Sequence, residues 1–169
     1  MAPALAALAI GTVASGTLAA GAALAADRPT PSGYPVPRYV TLKFGKVNAR
    51  AGPGDDHRLL WVYAARGLPV QVVAETAEWR RVCDPDGGLA WVHKRVTDGR
   101  RAVINTRARP APLFRKPKAG AETVAYLNVR ALASLDRCDK GWCRVKTERA
   151  SGWVREGTLW GTTETVQCR

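Results

Sequence analysis

Cys138 and Cys143, in the stretch CDKGWC, stand close enough along the chain for either a metal site or a disulfide, and the rest of the 169-residue sequence decides between them. Zinc ligation asks for a second close pair of thiols, or for histidines at short spacing, because four ligands must converge on one ion. Neither is present: the histidines are His57 and His93, and the remaining cysteines, Cys83 and Cys168, are isolated. An even number of cysteines in a short exported chain points instead to disulfides. A tight hairpin can bring Cys138 and Cys143 to bridging separation. Cys83 and Cys168 are then a long-range pair or two free thiols. A cysteine beyond the last recognisable strand is best explained as an anchor point, so we expect the pair, which closes a loop of about 85 residues worth about 4 kcal/mol in the chain-entropy model.

Other reactive residues lack the company that catalysis needs. A nucleophilic pair of Cys83 with His93 would require a lowered thiol pKa and an orienting third group, and no motif supplies them. His57 follows Asp55 and Asp56 in a Gly-rich loop, and adjacent carboxylates on a loop lack the fixed separation of an acid–base pair. The run GPGDD precedes no helix, so its glycines and proline read as a turn rather than a phosphate cradle. We therefore expect no catalytic residue, no metal ligand set and no cofactor.

What must position these residues begins after the N-terminus. Residues 1 to 26 carry no charged side chain and end near Ala23-Leu24-Ala25, a small-x-small site of the kind a signal peptidase cuts. This predicts an export signal and a periplasmic or secreted protein, although the segment also lacks the usual Lys or Arg at its start. A retained anchor is the alternative. It is disfavoured because Ala and Gly bury little apolar surface, so no transmembrane span is expected in the mature form. Residues 27 to 38 are Pro-rich and read as an extended linker.

From Tyr39 onward, short runs of Val, Leu, Tyr and Trp are broken by Gly, Pro or Asp at strand-like intervals, the pattern of an all-β sandwich or barrel. No window sustains helical periodicity over three turns. The chain then repeats itself. EWRRVCDPDGGLAWVHK at 78 to 94 and GWCRVKTERASGWVRE at 141 to 156 align Trp79 with Trp142, Arg81 with Arg144, Val82 with Val145, Trp91 with Trp153 and Val92 with Val154. A looser match sets Leu68-Pro69-Val70 against Leu127-Asn128-Val129, and Ala49 to Gly54 against Phe114 to Gly120. Two tandem modules follow, 39 to 105 and 106 to 161, with a C-terminal tail at 162 to 169. Alternation along each strand puts Val82, Val92, Val145 and Val154 in the cores, with the tryptophans at barrel edges or the seam. The same parity sends Cys143 inward and Cys83 to the outer side of the first barrel.

These stretches, with VPRYVTLKFGKVNARAGPG, LLWVY, GLPVQVVAE and LWG, resemble the bacterial SH3 domain family over nearly everything after the linker. The resemblance implies two small SH3-like barrels of five or six strands, with a long Arg-Gly-Pro loop after the first strand, here at Ala49 to Arg58. The second copy lacks the Gly-Pro-Gly signature, and its loop reads as shorter. The resemblance also implies a ligand in the cell envelope: a peptidoglycan stem peptide or an envelope protein.

Charge fits such a partner. With 26 Lys plus Arg against 14 Asp plus Glu the net charge is +12, a field that favours anionic surfaces. Nucleic acid is not expected as a partner of an exported chain. Arg50, Tyr63, Trp79 and Trp91 are the candidate ligand surface, since aromatics supply contact area at low entropic cost and Arg adds fixed hydrogen-bond geometry. A second, basic candidate is NTRARPAPLFRKPK, with Arg107, Arg109, Arg115, Lys116 and Lys118; a solvated connector is the simpler reading of it. The sequence thus predicts a non-enzymatic binding protein. Its alternative is a scaffold that holds an envelope enzyme or receptor through a proline-rich segment.

Overall fold

The computed structural model describes residues 30–163 and 165–168; the expected signal, 1 to 26, lies outside the described residues. Among the described residues thirteen strands form two antiparallel sheets; the second takes its first strand from residues 102–104, inside the bounds expected for the first module. The first holds β1 (Arg38–Leu42), β2 (Val47–Arg50), β3 (Leu59–Tyr63), β4 (Pro69–Glu75), β5 (Trp79–Cys83), β6 (Leu89–His93) and β7 (Thr97–Asp98), in the order β3-β2-β6-β5-β4-β1-β7. The second holds β8 (Ala102–Ile104), β9 (Ala111–Phe114), β10 (Thr123–Leu127), β11 (Leu132–Asp139), β12 (Trp142–Lys146) and β13 (Ser151–Arg155), in the order β10-β9-β13-β12-β11-β8. Among the described residues the only helical element is the short 3-10 turn Lys94–Val96. No helix there is long and apolar enough to cross a membrane.

Alternation builds each core. Val82 and Val92 are fully buried with Val40, Val70 and Val72 in the first barrel; Val145 and Val154 are buried with Val103, Leu113 and Cys143 in the second. The repeat extends to its irregularities. A register shift falls between Val72 and Ala74 on β4 and between Leu135 and Arg137 on β11, opposite Val82 and Val145 respectively. Bulges of this kind bend a strand, which lets a short sheet close on itself.

Where the sequence matched the copies loosely, the strands correct it. Arg50 lies opposite Trp91, and the residue opposite Trp153 is Phe114. The counterpart of Arg50 is therefore Phe114, not Arg115. Leu127, at the end of β10 opposite Ala111, corresponds to Tyr63 opposite Val47, not to Leu68. The loops that follow β2 and β9 also have equal length, eight residues each at 51–58 and 115–122, and both close with a backbone bond of 2.9 Å, Ala51 to Arg58 and Arg115 to Glu122. Matching on Gly and Pro misplaced the second loop, because turn residues can change while the strand register holds.

Lys140 and Gly141 join β11 to β12 with φ of 48° and 76°, the two positive values that a two-residue hairpin of matching twist requires. Cys138 and Cys143 face each other across this hairpin with Cα atoms 4.0 Å apart and are bonded. Cys83 is bonded to Cys168 over a Cα separation of 5.7 Å. Both pairings are those read from the sequence.

The modules are not beads on a string. Ile104, on β8, is buried in the first core, and Leu132 and Trp160 pack against it. Trp160 donates from Nε1 to the Pro69 carbonyl at 3.3 Å and meets Tyr39 edge to face at 5.8 Å. Fully buried Gln71 ties the tail twice, donating to the Thr165 carbonyl at 2.8 Å and accepting from the Gln167 N–H at 2.9 Å. Part of the stretch expected as a linker is docked too: Val36 packs on the first core, and Ser32 donates from its backbone to Glu75 at 3.1 Å. Glu75 is nearly buried, so its carboxylate requires donors, and Arg38 and Ser32 supply them.

Candidate functional site

Three of the four candidate residues share one surface. Cross-strand partners lie on the same face of a sheet, and on the outer face of the first barrel Arg50 is opposite Trp91, Trp91 is opposite Arg81, and Trp79 is opposite His93. Inner positions alternate with these, so Ala90, Val92 and Val82 fill the core behind them. Trp91 remains partly exposed, whereas Trp79 is nearly buried against the His93 ring at 5.2 Å.

Tyr63 departs from this grouping. It points inward with Val47 and Ala49, is 7% exposed, and donates to the Asp84 carboxylate at 3.0 Å. Burial, and then the charge of Asp84, push its hydroxyl well above the usual tyrosine range, so it remains a donor. Asp84 in turn accepts from the N–H of Asp86 and of Gly88, which fixes the turn between β5 and β6. Tyr63 is thus a core residue that braces a turn. Its place at the end of LLWVY gave no sign of which face it takes, because a bulge beside Arg50 resets the parity.

Arg50 plays a narrower part than expected. Its side chain is 18% exposed, donates to the His57 carbonyl at 2.9 Å and pairs with Asp55 at 3.3 Å, so it braces the Gly-Pro-Gly loop over the sheet. The cation the sequence reading passed over is Arg81. It is exposed, beside Trp91, and without an ion pair among the described residues. The alternation Trp79-Arg80-Arg81-Val82 was the available signal, since Arg81 shares parity with Trp79.

The second candidate divides. Arg107 and Arg109 precede β9, and Arg115, Lys116 and Lys118 follow it. All five are exposed, but a four-residue strand separates the two groups by roughly 13 Å. Asn105, fully buried, folds the first group into a turn by donating to the Arg109 and Leu127 carbonyls at 3.0 Å. Arg115 is held by Glu122 in a two-point pair at 2.7 and 2.9 Å. These cations do not form one cluster. As for reactive groups, the Cys83 sulfur is bonded to Cys168 and offers no thiolate, and among the described residues no cluster of His, Cys, Asp or Glu could hold a metal ion.

A sequence profile described as the bacterial SH3 domain matches residues 43–99 and again 107–161. The chain belongs to the bacterial SH3 domain family. Solved structures similar to it include that of NlpC1 from Trichomonas vaginalis, at 15% identity over 75% of this chain and 46% of that one, with a TM-score of 0.33. The structure of NlpC2 from Trichomonas vaginalis is similar at 14% identity over 75% of this chain and 48% of that one, with a TM-score of 0.34. The chain spans about half the length of these two structures. No curated protein matches the chain in sequence.

Comparing the two bacterial SH3 domains at this surface shows what distinguishes the first. In the second domain Arg137 stacks over Trp153 at 5.3 Å, and Arg155 lies over Trp142 at 5.1 Å. The position of Arg137, opposite Arg144, is held in the first domain by Ala74, opposite Arg81. Alanine is too short to cover a ring. Among the described residues no cation lies over Trp91, which is half-buried like Trp153 but lacks the arginine that stacks on it.

Proposed function

We propose that this is an exported, non-enzymatic binding protein whose first bacterial SH3 domain holds a peptide ligand of the cell envelope on the surface formed by Trp91, Arg81 and the loop at 51 to 58. The observation that carries the reading is a half-buried Trp91 with no cation over its ring, beside an unpaired Arg81, at a position where the second domain supplies its own arginine. An aromatic face next to a free guanidinium suits a short peptide with a carboxylate: the ring takes the apolar part and the cation the charge. A peptidoglycan stem peptide has both. The overall charge of +12 favours approach to an anionic envelope.

Sedimentation with purified peptidoglycan sacculi tests this. The intact protein should pellet with sacculi and remain soluble without them. Trp91→Ala and Arg81→Ala, each checked for an unchanged circular dichroism spectrum, should lose about tenfold or more in affinity. Unchanged pelleting of both folded variants would remove the proposed surface.

A further inference from the structure

Where the two domains meet, a trough of about 840 Å³ runs between the β3–β4 turn of the first and the β10–β11 and β12–β13 turns of the second. Its floor is apolar, from Leu127, Leu132 and Ala133, and Tyr126 stands at its side with 65% of its surface exposed. Its rim is cationic: Arg66 comes from the first domain, Lys146 and Arg149 from the second, against the single carboxylate of Glu148. None of these three cations has an ion-pair partner among the described residues. A smaller hollow shares Arg66, Gly67, Ala102 and Ser134 with the trough and extends it past Lys43. The seam around Ile104 and Trp160 joins the two walls by core packing and the Trp160–Pro69 hydrogen bond.

We infer that this trough is a second binding site, one that takes an extended peptide rich in carboxylates. The rim supplies unpaired positive charge on both walls, so an anionic ligand loses no competing internal partner when it binds. The floor and Tyr126 reward apolar side chains, which a peptide has and a bare phosphate polymer does not. Tyr126 lies on β10, an edge strand of the second sheet, and such an edge leaves backbone groups free to pair with an extended chain. The site is separate from the surface around Trp91 and stands without it.

Fluorescence anisotropy of a short fluorescein-labelled peptide alternating Glu and Leu provides the test. The intact chain should bind it, and added salt should weaken the complex. The double variant Arg66→Glu with Arg149→Glu should lose about tenfold or more in affinity, whereas Arg107→Glu with Lys116→Glu, which changes net charge equally on exposed positions elsewhere, should stay within about twofold. Tyr126→Ala should weaken binding without any change in charge, Trp91→Ala should leave it unchanged, and linear polyphosphate should compete poorly. Equal losses for the two double variants would reduce the effect to the general field of a basic protein. Tight polyphosphate binding that Tyr126→Ala does not alter would make the ligand a phosphate polymer; either result, or no binding by the intact chain, overturns the inference. All these positions are exposed except half-buried Trp91, and thermal unfolding curves matching the parent confirm that each variant is folded.

Discussion

A single position separates the two copies of the proposed surface. Ala74 leaves Trp91 without the arginine that Arg137 places over Trp153, so Ala74→Arg should cover Trp91 from within. The expected outcome is a folded protein that has lost sacculus binding, with stability altered by no more than about 1 kcal/mol, the usual worth of an exposed cation–π contact. Denaturant unfolding and sedimentation measure the two parts. Tyr63 makes the contrary prediction: Tyr63→Phe leaves the buried Asp84 carboxylate without its hydroxyl partner and should cost about 1 to 3 kcal/mol, with no direct effect on the ligand surface. Glu75 sets an acid limit. Burial alone would raise its carboxyl, but hydrogen bonds from Arg38 and Ser32 bring it down to about 2 from an ordinary value of 4.5. A carboxyl lowered in the folded state stabilises fully above its unfolded value and loses that contribution as pH falls to the folded one. Stability should therefore drop between pH 4.5 and about 2, and Glu75→Gln, less stable at neutral pH, should lack this part of the drop. An identical acid profile for the variant would contradict it.

Individual strands explain how much the sequence disclosed. Val82, Val92, Val145 and Val154 were readable because strand alternation has a period of two and the Trp-Val pairs fix its phase. The Cys138–Cys143 bridge was readable because the hairpin between them is only Lys140-Gly141 long. Reading failed where a bulge changes parity or where turn chemistry varies between copies. Tyr63 turned inward across the shift at Arg50, and the second loop was misjudged because it has lost Gly-Pro-Gly while keeping its eight residues. Arg107 to Lys118 looked like one basic run, since sequence proximity says nothing about the strand that pulls its two ends apart. Arg81 was visible in the alternation, but its freedom from ion pairs was not, since the one nearby carboxylate on the facing strand, Glu75, lies opposite Arg80 on the other face of the sheet.

At the scale of the molecule, two domains of modest size gain from being one unit. Each has a small core, and domains of this size are marginal alone. Ile104 and Trp160 share a seam with the first core, and Gln71 with the Cys83–Cys168 bridge laces the tail across the boundary. Cys168→Ser should lower stability by up to about 4 kcal/mol and make the tail the first site of proteolysis, while Cys138→Ser, closing a far shorter loop, should cost less. Thermal unfolding and limited digestion compare them; an equal loss in the two would mean that loop closure is not what the long bridge contributes.

The central claim is that the ligand sits on the outer face of the first domain. Amide and indole chemical shifts of the isotope-labelled protein, followed as a peptidoglycan stem peptide is titrated in, report contacts residue by residue. The account predicts that the first and largest changes fall on the Trp91 indole, Arg81 and the loop at 51 to 58, with Trp153 unaffected beneath Arg137. Changes centred on the second domain, or none at stem concentrations at which sacculi bind, would contradict it.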